Sequence, residues 1–260
     1  MSELRPPVPI VAVPLGGPLV PARFVERPNR FVVHARLREG GEPVAAHLAD
    51  PGRLRELLVP GRRLWLRPAA EPARATRKTP RKAPRKTRWS AVLVEAPGGL
   101  LVSVDTTVPN RLVAEALRRG ALPELGPYRL ERAEHRLGRS RIDFLLSAAG
   151  AAERPPLLLE VKSVTLVEEG VALFPDAVTA RGARHLRELA AHARSGAYGA
   201  AVLFVAQRPD VERVVAARAI DPDFAEALEE ARAAGVRVLA RRCRVSLEAI
   251  ALDAPVPAGV

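Results

Sequence analysis

At 260 residues the chain is long enough for one large domain or two modest ones, and its 48% hydrophobic and 27% charged content supports a sizeable core and excludes global disorder. It carries 41 basic against 29 acidic side chains, a formal charge of +12, which favours polyanionic partners. A single cysteine, Cys243, excludes an intrachain disulfide framework and Cys-rich zinc sites, and no disulfide-linked partner is expected. No apolar run approaches the ~18 residues of a membrane span. Pro6, Pro7, Pro9 and Pro14 break up the start, which does not read as a secretory signal. A cytoplasmic protein without membrane attachment is expected.

Residues 1–18, rich in Pro and Gly, read as a flexible leader. Residues 19–107 show short strands with turns. Residues 31–37 and 43–48 make a hairpin across Arg38-Glu39-Gly40-Gly41. Residues 53–58 read as a short helix, with Asp50 capping and Pro51 at its first position, ended by Pro60-Gly61. Strands are expected at residues 62–67, 89–95 and 100–104. Three strands, a helix, then more strands match the order of a small OB-like β-barrel.

Inside that region, residues 74–88 carry eight basic residues and no acid, so two-thirds of the net charge lies in fifteen residues. The repeat Arg-Lys-Thr-Pro, Arg-Lys-Ala-Pro, Arg-Lys-Thr-Arg places prolines that block a helix, which predicts an extended arm over residues 73–88. Arg77, Lys78, Arg81, Lys82, Arg85, Lys86 and Arg88 can neutralise phosphates without reading bases, joined by Arg53 in the Asp-Pro-Gly-Arg turn. A solvated low-complexity loop is the plain alternative. Outside the arm the 33 basic residues include one lysine, Lys162. Lysine is a compact ammonium where arginine is a wide fork, so Lys162 marks a position where the two do not interchange.

From residue 108 to the end the pattern becomes α/β. A helix is expected at 110–119, strands at 128–137, 141–146 and 157–166, a helix from 179, an apolar central strand at 199–207, a helix at 221–234 and a closing strand at 236–239. Asp143 stands in one apolar strand, and Glu160 stands in another with Lys162 two positions on. Alternation makes Glu160 and Lys162 project together. Buried carboxylates need partners. A hard divalent cation held by Asp143, Glu160 and a third acid, Glu115, is one solution, and magnesium or manganese suits it. A buried ion pair between Lys162 and one acid is the other. Arg139 or Arg141 is a further partner for Asp143.

These segments resemble the sugar fermentation stimulation protein family. The matching pieces are His47-Leu48-Ala49-Asp50-Pro51-Gly52-Arg53-Leu54-Arg55-Glu56-Leu57-Leu58, Arg85-Lys86-Thr87-Arg88-Trp89-Ser90, and Val104-Asp105-Thr106-Thr107-Val108-Pro109-Asn110. They continue with Ser140-Arg141-Ile142-Asp143-Phe144-Leu145-Leu146, Glu160-Val161-Lys162-Ser163-Val164-Thr165, and residues 172–182 through to His185-Leu186. The similarity runs in order from about Phe24 to Leu252. It implies an OB-like domain followed by a restriction-endonuclease-like, mixed-sheet domain of the PD-(D/E)xK type. It also implies DNA binding, with a role in regulating sugar, particularly maltose, genes. By that likeness Glu115, Asp143, Glu160 and Lys162 form a nuclease-type site, with Gln207 auxiliary. The Arg-Lys repeat departs from the family as an expansion ahead of its Arg-Lys-Thr element. Two functions stay open: a magnesium-dependent deoxyribonuclease, and a non-cutting DNA-binding regulator.

Smaller signals read plainly. Arg181 and His185, four apart on one helix, are expected as a helix-surface pair, with a place facing the acidic site as the alternative. His34 and His47 are expected to be structural or exposed, and Cys243 a small buried side chain. The barrel half offers only Phe24, Phe31, Trp65 and Trp89, and this scarcity favours backbone-led binding to duplex over base stacking.

Overall fold

The computed structural model describes residues 9–69, 87–138, 140–150 and 154–259. The chain divides into two compact units, one of residues 15–105 and one of residues 106–260 with the stretch before residue 15. Val11–Pro14, expected inside a flexible leader, is instead strand β1, which pairs antiparallel with the last strand of the chain. Val11 and Val13 alternate into the core and are almost fully buried, and that burial ties the segment down.

The first unit is a closed barrel. Its strands are β2 (Val20–Asn29), β3 (Val32–Arg36), β4 (Val44–Leu48), β5 (Arg63–Pro68) and β6 (Trp89–Ala96), with β7 (Leu100–Ser103) added beside β6. The order β4-β3-β2-β5-β6 closes because β4 also pairs with β6, in parallel, with Leu48 opposite Ala91. Phe24, Val33, Ala35, Leu48, Leu64, Leu66 and Val94 fill the interior, the inward half of a two-residue alternation. The helix expected at residues 53–58 is a single turn, in which the Leu58 N–H donates to the Leu54 carbonyl at 2.8 Å. Leu54 sits at φ +50° with its side chain fully buried. A left-handed residue cannot propagate a right-handed helix, so the turn starts at Leu54 and cannot extend back to Arg53. Asp50 caps the turn preceding it, accepting the Gly52 N–H at 2.8 Å.

The second unit continues with α1 (Val108–Arg118), β8 (Tyr128–Leu137), β9 (Ser140–Ala148), β10 (Leu157–Val164), β11 (Val167–Glu168) and β12 (Val171–Phe174). Then come α2 (Ala180–Arg194), β13 (Gly199–Ala206), β14 (Arg213–Ala216), α3 (Pro222–Ala233), β15 (Arg237–Val245) and β16 (Ala249–Val256). A seven-stranded mixed sheet has the order β1-β16-β15-β13-β10-β9-β8, with β10, β13 and β15 parallel at its centre. The closing strand expected at 236–239 is therefore an inner strand, covered on its outer edge by β16 and then β1. Cys243 on β15 is fully buried, and burial pushes its thiol far above the usual range.

Leu158, Val202 and Phe204 of the sheet pack with Leu186 and Leu189 of α2 and Phe224 of α3. Helix α1 lies against β1, β8, β10 and β16 through Leu112, Val113, Ala116 and Leu117. The start of α2 is pinned from two sides. Thr179 accepts the Gly182 N–H at 3.1 Å, and the Thr179 N–H donates to Asp221, whose other oxygen caps α3 through the Phe224 N–H. Gly182 is required there: a Cβ would lie 2.8 Å from Thr179 Cγ2 and 3.2 Å from Phe224 Cδ2. Among the described residues no helix is long and apolar enough to cross a membrane.

Candidate active site

The site forms where two neighbouring strands stop pairing. The β9–β10 ladder runs Leu157–Leu146, Leu158–Leu145 and Leu159–Phe144, and ends one step before Glu160 and Asp143 would face each other. The Asp143 side chain takes over the bond the ladder drops: its Oδ2 accepts the Val161 N–H at 2.8 Å. Its Oδ1 accepts from Asn110 Nδ2 at 2.8 Å, in the first turn of α1. Of the arginine partners open to Asp143, Arg141 pairs instead with Glu134 at 3.6 Å, and Arg139 lies outside the described residues.

On β10, Leu158, Glu160 and Lys162 alternate on one face, and Leu158 shares that face with the α2 core. Lys162 Nζ donates to Glu160 Oε1 at 2.8 Å. From α2, His185 meets the same oxygen at 2.8 Å through Nδ1. His185 is thus a buried partner of the acidic site, 3% exposed, and not the helix-surface residue expected. Its place follows from the pinned start of α2, one and a half turns earlier. The remaining oxygen, Glu160 Oε2, is buried and has no hydrogen-bond partner among the described residues.

The two carboxylates titrate in opposite directions. Burial pushes Asp143 up, and the neighbouring Glu160 charge adds to it, against the Val161 and Asn110 hydrogen bonds and the Lys162 charge. Burial also pushes Glu160 up, but the His185 hydrogen bond and the charge and hydrogen bond of Lys162 outweigh it and hold the carboxyl at about 2. An ionised Glu160 only accepts, so His185 carries its proton on Nδ1. The result is an acidic pair with one orphaned oxygen and mutual repulsion that a cation would relieve. Such donors are those a hard, oxygen-seeking ion takes.

A cleft of about 480 Å³ opens beside Asp143, lined by Asn110, Arg111, Glu115, Arg118 and Arg119 of the α1 segment. Glu160 and Lys162 do not line it. Glu115 shares the cleft with Asp143, but its carboxylate is engaged by Arg119 at 2.6 Å and Arg118 at 3.4 Å, and the Arg119 hydrogen bond holds it below the usual carboxylate range. Among the described residues no group of three or more His, Cys, Asp and Glu is placed to hold a metal ion. Gln207, fully buried at the end of β13, donates to Ser163 Oγ at 2.9 Å.

Of the expected phosphate-binding residues, Arg77, Lys78, Arg81, Lys82, Arg85 and Lys86 lie outside the described residues. Arg53 and Arg88 are exposed on the barrel unit. His34 pairs with Glu26 at 2.9 Å, and His47 Nδ1 meets the Phe31 carbonyl at 3.1 Å. Residue-by-residue reading missed Asn110 as a member of the site and ranked a surface position for His185 above the place it takes. Both lie within segments that carried the family resemblance, which was the available signal.

Comparison with known proteins covers both units. The family model described as the sugar fermentation stimulation protein RE domain matches residues 107–249, and the N-terminal OB domain model of the same family matches residues 25–104. The chain is 47% identical over 240 residues to a sugar fermentation stimulation protein homolog from Shouchella clausii, covering 92% of this chain and 97% of the relative. It is 47% identical over 245 residues to the homolog from Moorella thermoacetica, covering 94% and 98%. A solved structure described as Pyrococcus furiosus SfsA in complex with Ca2+ superposes with a TM-score of 0.79 at 31% identity, covering 94% of this chain and 97% of that one.

Proposed function

The chain belongs to the sugar fermentation stimulation protein family, and from that premise we propose that it is a DNA-binding protein whose second unit holds a divalent cation and hydrolyses phosphodiester bonds. The observation that carries this reading is the orphaned Glu160 Oε2 beside the raised Asp143 carboxyl. Glu160 and Asp143 would hold magnesium or manganese, with waters completing the shell. The relative solved with Ca2+ supports a hard cation in this family. A bound ion of this kind supplies positive charge to the phosphoryl oxygens and makes water a better nucleophile.

The protein's own groups do the rest. The Val161 N–H and Asn110 fix the Asp143 carboxylate, one hydrogen bond to each oxygen. His185 and Lys162 hold Glu160 Oε1, which leaves Oε2 as its free donor atom. The Lys162 ammonium spends one of its three N–H groups on Glu160 and has two for the charge that develops on the phosphate. Of the arginines around the cleft, Arg118 and Arg119 are engaged by Glu115, and Arg111 can meet a phosphate oxygen beside Asp143.

One observation favours the non-cutting regulator. Lys162 and His185 already satisfy one Glu160 oxygen inside the protein, and no three-ligand cluster exists among the described residues. Supercoiled plasmid incubated with magnesium, manganese or EDTA separates the two. The enzyme nicks plasmid only with metal, and Glu160→Gln and Lys162→Ala abolish nicking while a gel shift persists. Intact plasmid in every metal, with the gel shift retained, assigns the regulator instead.

A further inference from the structure

At the tip of the β2–β3 hairpin the barrel unit holds an aromatic ring out of its core. Phe31 is 48% exposed, whereas Phe24 and Trp65 are buried at 4% and 7%. A single exposed ring is ordinary on a protein surface, but this one is rigidly mounted. The Phe31 N–H donates to Asn29 Oδ1 at 2.9 Å. Its carbonyl accepts the Leu48 N–H at 2.9 Å and meets His47 Nδ1 at 3.1 Å. The backbone of Phe31 is therefore saturated while its ring faces water.

Beside it, one guanidinium gathers two loops. Arg27 Nη1 donates to the Gly52 and Arg53 carbonyls at 2.5 and 2.8 Å, and Nη2 donates to the Arg30 and Asp50 carbonyls at 2.8 and 3.0 Å. All four acceptors are main chain. The planar fork of Arg27 thus brings the hairpin tip against the 50–53 turn, and Arg30 and Arg53, whose carbonyls meet on that fork, are both exposed. Leu54, strained at φ +50° and fully buried, anchors the far end of the turn in the barrel core.

We propose that Phe31, Arg30 and Arg53 form a binding site for single-stranded nucleic acid, with an unpaired base stacked on the Phe31 ring and the two guanidinium groups on the flanking phosphates. The ring sits on the first hairpin loop of a five-strand barrel, a loop that barrels of this type use for oligonucleotides. A base in a duplex keeps both faces in the stack, so a preorganised ring selects unpaired strands. This departs from the duplex preference expected from the scarcity of aromatic residues. The site lies within the barrel unit and needs no metal, so it stands or falls independently of hydrolysis at Asp143 and Glu160.

The test is fluorescence anisotropy in EDTA with labelled oligo(dT) and oligo(rU) ten-mers and a ten-base-pair duplex. Phe31→Ala should weaken single-strand binding about 5- to 150-fold, the range for losing one base–aromatic stack. Phe31→Trp should stay within about threefold of wild type, and duplex affinity should not follow Phe31→Ala. Arg30→Ala and Arg53→Ala should each reduce the slope of log K against log salt by roughly 0.7. Tighter binding of either ten-mer identifies DNA or RNA as the source of the strand. Binding by Phe31→Ala within twofold of wild type, equal losses on single strand and duplex, or no single-strand binding by the wild type would each overturn the proposal.

Discussion

Replacing Glu160 by glutamine should destabilise the second unit more at neutral pH than at low pH. The folded carboxyl is held at about 2 against an ordinary value of 4.5, which favours the folded state by about 3 kcal/mol at pH 7. The sign follows from a depressed pKa. The contribution is complete above pH 4.5 and is lost as pH falls towards 2, with somewhat more than half gone by pH 3. Asp143 works in the other sense. Its carboxyl is raised, by burial first and by the Glu160 charge second, so removing that charge returns part of the cost. The net loss expected for Glu160→Gln is therefore about 2 kcal/mol at pH 7 and about 1 kcal/mol at pH 3. Guanidinium unfolding followed by circular dichroism measures it at both pH values. Tryptophan fluorescence serves as the control, because Trp65 and Trp89 both lie in the barrel unit and its transition should not move. A difference that stays constant between pH 7 and pH 3 would refute the reasoning, since packing and not ionisation would then account for it.

Three further outcomes are expected. His185→Ala should let the Glu160 carboxyl rise, lower stability by about 3 kcal/mol through the lost charge-assisted hydrogen bond and the cavity, and weaken manganese binding by calorimetry; His185→Asn should recover part of both. Gly182→Ala should cost about 1–3 kcal/mol in denaturant titrations followed by circular dichroism, because the added Cβ meets Thr179 at 2.8 Å where α2 is capped. Deleting residues 74–82, which hold five basic side chains, should flatten the salt dependence of DNA binding by roughly four in slope without changing sequence preference, as read by anisotropy titrations at several salt concentrations.

The features legible in the chain were those that local geometry dictates. A strand has a period of two whatever its neighbours are, so Leu157-Leu158-Leu159-Glu160-Val161-Lys162 was enough to put Glu160 and Lys162 on one face. The order of apolar runs and turns likewise implied a barrel followed by an α/β unit, the family resemblance made that unit a mixed sheet, and the charge of residues 74–88 needs no fold at all. What the chain could not announce were meetings between distant positions. Asn110 reaches Asp143 across 33 residues, His185 reaches Glu160 across 25, and the Val161 N–H becomes available only where the β9 ladder ends. The same holds for Val11 and Val13, whose hydrophobic side chains looked like part of a Pro-rich leader until β16 supplied an edge to pair with. Backbone stereochemistry acts over a few residues and can be read from them. Partners in a sheet or across a core are chosen by the packing of the whole unit, where burial of each polar group must be offset by a group that the rest of the chain delivers.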